Sequence, residues 1–188
     1  MTAASPTPSQ PDLATAAATT SAQSAPALPP PSAAVRAAAQ RLQPLVEAAT
    51  KIVFFGGAGV STESGIPDFR SQDGLYHQHY QWPPETILSR SFFRQQPAEF
   101  FRFYRDRVLH PQAQPNAAHR QLANWERAGR LAAVVTQNID GLHQAAGSTV
   151  VHELHGSVER NHCQRCGRAY PVAALLTADD IPRCDCGG

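Results

Sequence analysis

The chain has no run of lysine or arginine, and its formal charge is only +1 over 188 residues. Without a basic patch there is no electrostatic footprint for a nucleic acid and nothing to grip an anionic membrane surface. No apolar stretch approaches the roughly 20 residues that span a bilayer. The N-terminus lacks a signal peptide's basic start and apolar centre: Asp12 is the sole charge of residues 1–35, amid Ala, Ser, Thr and Pro. Such a composition buries too little apolar area to offset chain entropy. Residues 1–32, with Pro29-Pro30-Pro31 near their end, therefore read as a disordered leader on a cytoplasmic protein. Cysteine is scarce, with four residues in all. The length suits one domain carrying a small module, and the 42% apolar content allows a modest core.

What the chain does have is a short apolar run, Ile52-Val53-Phe54-Phe55, feeding directly into Gly56-Gly57-Ala58-Gly59-Val60-Ser61-Thr62-Glu63-Ser64-Gly65-Ile66-Pro67-Asp68-Phe69-Arg70. A buried strand ending in glycines lets backbone N–H groups approach a pyrophosphate without Cβ hindrance. The loop is half of a dinucleotide fingerprint: Gly57-Ala58-Gly59 is followed by Val60, Ser61 and Thr62, and the third glycine is missing. No acidic residue closes a second strand at the distance a ribose-binding dehydrogenase needs. By itself the loop fits a tight structural turn as well as a phosphate cradle.

Val35, Ala38, Leu42, Leu45 and Val46 recur at helical spacing, which predicts an amphipathic helix over 33–50 kinked near Pro44. A strand over 51–55 precedes the glycine loop, and residues 65–84 read as loop, broken by Gly65, Pro67, Gly74 and Pro83-Pro84. Phe100, Phe101, Tyr104 and Val108 place a helix over 97–110 with aromatics on one face. Asn116 is the expected cap of a helix that ends at Gly129, before a second apolar strand, Leu131-Ala132-Ala133-Val134-Val135-Thr136. A short helix around 141–146 and a third strand at Val150-Val151 complete a β-α-β-α-β order.

The second strand runs into Gln137-Asn138-Ile139-Asp140-Gly141-Leu142-His143, so three polar side chains sit at a strand's carboxyl end, where open α/β sheets bind ligands. Taken alone this is equally a strand-to-helix turn with Asp140 as a cap. His155, just before Gly156 and after a strand, is the candidate for acid/base work, one of eight histidines. Cys163-x2-Cys166, then 17 residues, then Cys184-x-Cys186 fits a four-thiolate zinc site, with Gly187-Gly188 supplying the turn for the tighter second pair. His162 offers a substitute ligand, and in a cytosolic protein metal is favoured over disulfide.

The glycine-loop stretch, the Thr136-Gln137-Asn138-Ile139-Asp140-Gly141-Leu142-His143 stretch, the His155-Gly156 pair and the paired cysteines together resemble the sirtuins, the NAD-dependent protein-lysine deacylases. The likeness runs from about Ala33 to Gly188. It implies a Rossmann-like parallel-sheet nucleotide domain over 33–158 with a helical insertion at about 65–115, and a zinc module over 159–188. It also implies deacetylation of acetyl-lysine with release of nicotinamide and O-acetyl-ADP-ribose. Under the resemblance His155 is the general base, and Asn138 positions the ribose or a water. Asp140 with Ile139 holds the nicotinamide carboxamide. Ala58, Gly59, Thr62, Asp68, Phe69, Arg70 and Gln137 complete the NAD site, Phe69 covering the ribose and Arg70 countering the diphosphate. Zinc on Cys163, Cys166, Cys184 and Cys186 is structural, and the partner is an acylated lysine of a protein substrate.

Tyr104 and Arg107, one helical turn apart, resemble the pair with which one sirtuin subgroup grips succinyl- and malonyl-lysine, although Asp68 stands where that subgroup tends to have Thr. Acetyl-lysine is therefore the first expectation. Sirtuins continue well past the zinc module, so a truncated product with an uncovered, incomplete sheet is also expected. Mono-ADP-ribosyl transfer, or an inactive NAD- and zinc-binding module, are the competing readings.

Overall fold

The computed structural model describes residues 30–69, 74–75 and 80–188. Arg70, assigned above to the diphosphate, lies outside them, as does most of the leader. The described residues fall into two units, 30–41 and 42–188. Helix α1 (Ala33–Ala48) contains Pro44 and has no buried residue; Val35, Leu42 and Leu45 stand exposed along it. Among the described residues no helix is long and apolar enough to cross a membrane.

The larger unit is organised on a three-stranded parallel sheet, β1 (Ile52–Gly56), β2 (Leu131–Thr136) and β3 (Val151–Glu153), in the spatial order β1-β2-β3. Its third strand begins one residue later than the sequence suggests and runs on to Glu153. The register between β1 and β2 slips once: Ile52 faces Leu131 but Val53 faces Ala133, leaving Ala132 unopposed. This extra residue inverts the side-chain alternation of β2, and so both Leu131 and Val134 reach the same apolar cluster despite their odd spacing. Helix α5 (Ala117–Arg127) supplies Leu122 and Trp125 to that cluster, which Ile52, Phe54 and Val151 complete. The opposite face of β1 carries Val53 and Phe55, each 62% exposed, whereas parallel sheets are ordinarily covered on both sides.

Between β1 and α5 the chain builds a helical layer: α2 (Pro84–Ile87), α3 (Arg90–Gln95) and α4 (Pro97–Phe103). Ser89 caps α3 by accepting the Phe92 N–H, and Pro97 opens α4, where its missing N–H is not needed. Ile87, Phe92 and Phe103 form the core of this layer, with Trp82 edge-on to Phe92 and Tyr80 edge-on to Phe103. The expected single helix over 97–110 instead widens after Phe103 into a π-turn, Tyr104–Val108, closed by the Leu109 N–H on the Tyr104 carbonyl at 2.9 Å. The widening swings Leu109 into a second cluster with Val158 and Leu175. The remaining elements are α6 (Leu142–Ala145), the antiparallel pair β4 (Asn161–His162) and β5 (Ala169–Tyr170), and α7 (Val172–Leu176).

Candidate active site and metal centre

The carboxyl ends of β1 and β2 are tied together by the Gln137 N–H donating to the Gly56 carbonyl at 2.9 Å. Beyond β1 the glycine loop folds into two single 3₁₀ turns, Ala58–Val60 and Thr62–Ser64. The N–H groups of Val60, Ser61, Ser64 and Gly65 bond within the loop. Those of Ala58 and Gly59 open the first turn, where a helical N–H has no intrahelical partner and can face an anion. Thr62 turns its hydroxyl back onto the Gly59 carbonyl at 3.0 Å.

Ser61 is 1% exposed and points inward. Its Oγ donates to Asp140 Oδ2 at 2.6 Å and accepts from Asn138 Nδ2 at 3.0 Å, while Asn138 Nδ2 also lies 3.3 Å from Asp140 Oδ2. Asp140 Oδ1 accepts the Leu142 N–H at 2.9 Å, so the carboxylate caps the turn into α6 and anchors the triangle with its two oxygens separately. The Asn138 N–H is held by Thr136 Oγ1 at 3.0 Å. With its amide nitrogen committed to Ser61 and Asp140, Asn138 keeps Oδ1 as an acceptor for a hydroxyl or a water. The sequence reading paired Asn138 with Asp140 but passed over Ser61, whose only local signal was a hydroxyl in a glycine-rich loop.

His155 follows β3 and is exposed, with Nδ1 3.1 Å from the Gln137 carbonyl. A proton on Nδ1 donated to that carbonyl leaves Nε2 as the free basic nitrogen. Gly156, at φ +90°, makes the turn after it in a conformation that side-chain-bearing residues rarely adopt. Ile139 is held by its carbonyl accepting the Val158 N–H at 2.9 Å and packs on the Leu109–Val158–Leu175 cluster. The Asp68 carbonyl accepts the Leu75 N–H at 2.9 Å, and Phe69 is 37% exposed.

Tyr104 and Arg107 pack against different neighbours. Tyr104 stacks on Phe100 and packs with the Leu109 cluster, where burial raises its phenol above the usual range. Arg107 pairs with Asp106 and lies over the Tyr80 ring at 5.8 Å. The π-turn is the reason: three residues along a widened turn no longer stack one above the other.

Beneath the triangle sit His119 and His143, 0% and 1% exposed, with ring centroids 4.7 Å apart and Phe54 at 5.9 Å from His143. Burial, then repulsion from His119, depresses His143 to about 4, against the opposing pull of Asp140 and Glu153. Burial likewise lowers His119, with Asp140 opposing and Arg120 assisting. Because the folded-state value lies below the unfolded one of about 6.5, the unfolded chain binds the extra proton. The contribution is complete above pH 6.5 and is lost as the pH falls toward 4. We expect the thermal midpoint to fall over that window and His143→Gln to flatten the fall; an unchanged slope in the variant would refute the assignment.

The four cysteines are uncrosslinked, and all four Sγ atoms lie within 4.8 Å of one another. Cys163 and Cys186 are 3.5 Å apart and Cys166 and Cys184 3.7 Å, whereas a tetrahedral zinc at a Zn–S distance of about 2.3 Å requires S···S edges of roughly 3.8 Å. A Cβ on Gly188 would stand 2.9 Å from Cys163 Sγ, so the close approach of the backbone demands glycine. The Cys186 N–H draws Cys184 down to about 6, while the neighbouring Cys166 thiol pushes Cys186 up to about 12. The donor set and its size fit zinc. His162 is not part of this cluster.

Residues 57–188 match the model of the Sir2 family. The NAD-dependent protein deacetylase of Cutibacterium acnes is 57% identical over 151 residues, covering 79% of this chain and 62% of its own length. That of Clostridium acetobutylicum is 52% identical over 151 residues, covering 78% and 62%. A Sir2 structure with a deacetylated p53 peptide and 3′-O-acetyl ADP-ribose aligns at a TM-score of 0.69 and 41% identity, over 79% of this chain and 61% of that one. The chain thus spans about 62% of the length of these curated relatives. An α/β sheet ending in a glycine loop, with a four-thiolate module beside it, together with these matches, places the chain in the Sir2 family.

Proposed function

We propose that the chain carries the catalytic and zinc-bearing part of an NAD-dependent protein-lysine deacetylase. The observation that carries the reading is the Ser61–Asn138–Asp140 triangle across the carboxyl ends of β1 and β2, beside an exposed His155 with Nε2 free. The leading N–H groups of the glycine loop bind the pyrophosphate of NAD. Ala58, Gly59, Thr62, Asp68, Phe69, Gln137 and Ile139 line the co-substrate, and Arg70 counters the diphosphate.

In the reaction, the bond from ribose to nicotinamide breaks with its electron pair leaving on nicotinamide. The acyl oxygen of acetyl-lysine then bonds to the same ribose carbon. Asn138 Oδ1 orients the ribose or its water, and Asp140, fixed by Ser61 and the Leu142 N–H, holds the carboxamide end in place. His155 Nε2 accepts the proton of a ribose hydroxyl, whose oxygen bonds to the acyl carbon. The C–N bond breaks as the lysine amine leaves with a proton, and water adds to that carbon, freeing it from the first ribose oxygen and leaving the acetyl group on the second. Zinc on Cys163, Cys166, Cys184 and Cys186 supplies a structural staple and stays out of the chemistry. The divergence of Tyr104 from Arg107 favours acetyl-lysine over succinyl- or malonyl-lysine. A cluster of uncrosslinked thiols suits a reducing compartment, in keeping with the cytoplasm.

The test is release of nicotinamide from NAD by the zinc-loaded chain with an acetyl-lysine peptide, followed by mass analysis of both products. O-acetyl-ADP-ribose with free lysine supports the reading. An ADP-ribosylated peptide would replace it with mono-ADP-ribosyl transfer, and NAD binding without turnover would leave a binding module.

A further inference from the structure

 

Asn116 is 7% exposed and uses both ends of its side chain at once. Its Oδ1 caps α5, accepting the N–H of Ala118 at 3.0 Å and of His119 at 3.4 Å, while the Asn116 N–H donates to His119 Nδ1 at 3.3 Å. Its Nδ2 reaches across 56 positions of sequence to donate to the Val60 carbonyl at 2.7 Å. That carbonyl belongs to the peptide unit whose N–H is Ser61, itself bonded to the Ala58 carbonyl at 3.0 Å. Fixing this one peptide plane sets where the Ser61 hydroxyl points, and hence the 2.6 Å bond to Asp140.

We propose that Asn116 is a positioning residue for the co-substrate loop: one amide caps α5 with its oxygen and clamps the Val60–Ser61 peptide with its nitrogen. The proposal rests on the NAD reading above for its functional consequence, though the clamp itself does not. A cap alone requires only an acceptor, which serine and aspartate provide as well as asparagine. The donor toward Val60 is what asparagine adds, and neither replacement supplies it at that reach.

Asn116→Ser and Asn116→Asp therefore separate the two roles in the zinc-loaded full chain, with Asn116→Ala losing both. Three quantities are read: amide hydrogen exchange at Ser61, Ser64 and Gly65, exchange along α5, and NAD affinity by calorimetry. In the Ser and Asp variants we expect α5 protection to hold, loop exchange to rise about fivefold, and NAD to bind about fivefold more weakly, the worth of one hydrogen bond. Wild-type loop exchange in the Ser variant overturns the clamp. Loop exchange that rises only together with loss of α5 protection also overturns it, since that marks a merely structural cap. An effect confined to the Asp variant overturns it too, as a consequence of added charge. If the loop loosens as expected but the parent chain binds no NAD, the clamp stands and the NAD reading falls.

Discussion

Replacing His155 with alanine is expected to lower formation of O-acetyl-ADP-ribose by about 10²- to 10⁴-fold, the usual contribution of a positioned general base. The side chain is exposed and its one described bond is from Nδ1 to the Gln137 carbonyl, so its removal leaves the sheet and the apolar clusters intact. The thermal midpoint and NAD affinity should accordingly stay close to those of the parent, separating a chemical role from a structural one. His155→Gln provides the control, because it keeps a polar side chain at the site without a basic nitrogen. Product formation, followed by mass analysis under saturating NAD and peptide, decides the matter. Turnover in the alanine variant within about tenfold of the parent would remove His155 from the role of base.

Stripping zinc should have the largest effect on stability. Structural zinc sites contribute apparent binding free energies of about 10–16 kcal/mol near neutral pH, and most of that is folding free energy of the module around them. Within the described residues 159–188 the regular structure is a pair of two-residue strands and the five-residue α7, too little to persist unaided. We expect one zinc per chain and loss of amide protection over 161–188 on chelation. Val158 and Leu175 share a cluster with Leu109 and Ile139, so the loss should spread to the loop bearing Asn138 and Asp140. Cys184→Ser should reproduce it. Equal thiol reactivity with and without chelator, or a zinc content well below one per chain, would show that the cluster is not a metal site.

Several elements were legible because their causes are local. The apolar runs 52–55 and 131–136 form the two long strands, since a parallel sheet packed by a helix needs such runs. Asn116 caps α5 as its position predicts. The cysteine spacing alone indicated a four-thiolate cluster, and the four sulfur atoms do converge. The failures have equally specific causes. The π-turn at Tyr104–Val108 goes with the packing of Leu109 on Val158 and Leu175, residues far along the chain. The slip at Ala132 is fixed by pairing with β1, and no property of β2 alone requires it.

The sequence by itself determined the strand-and-glycine-loop order, the polar residues at the carboxyl end of the second strand, His155 before a glycine, and the thiolate set. These follow from hydrophobic periodicity, turn chemistry and ligand spacing, all of which act over a few residues. Only the tertiary structure decided that Ser61 joins Asn138 and Asp140, that Asn116 reaches the Val60 carbonyl, and that His119 lies against His143. Each of these contacts joins residues separated by at least 24 positions, which no local pattern specifies. Burial then gives them their character: a hydroxyl, two amides and two imidazoles removed from water must take one another, or nothing, as partners.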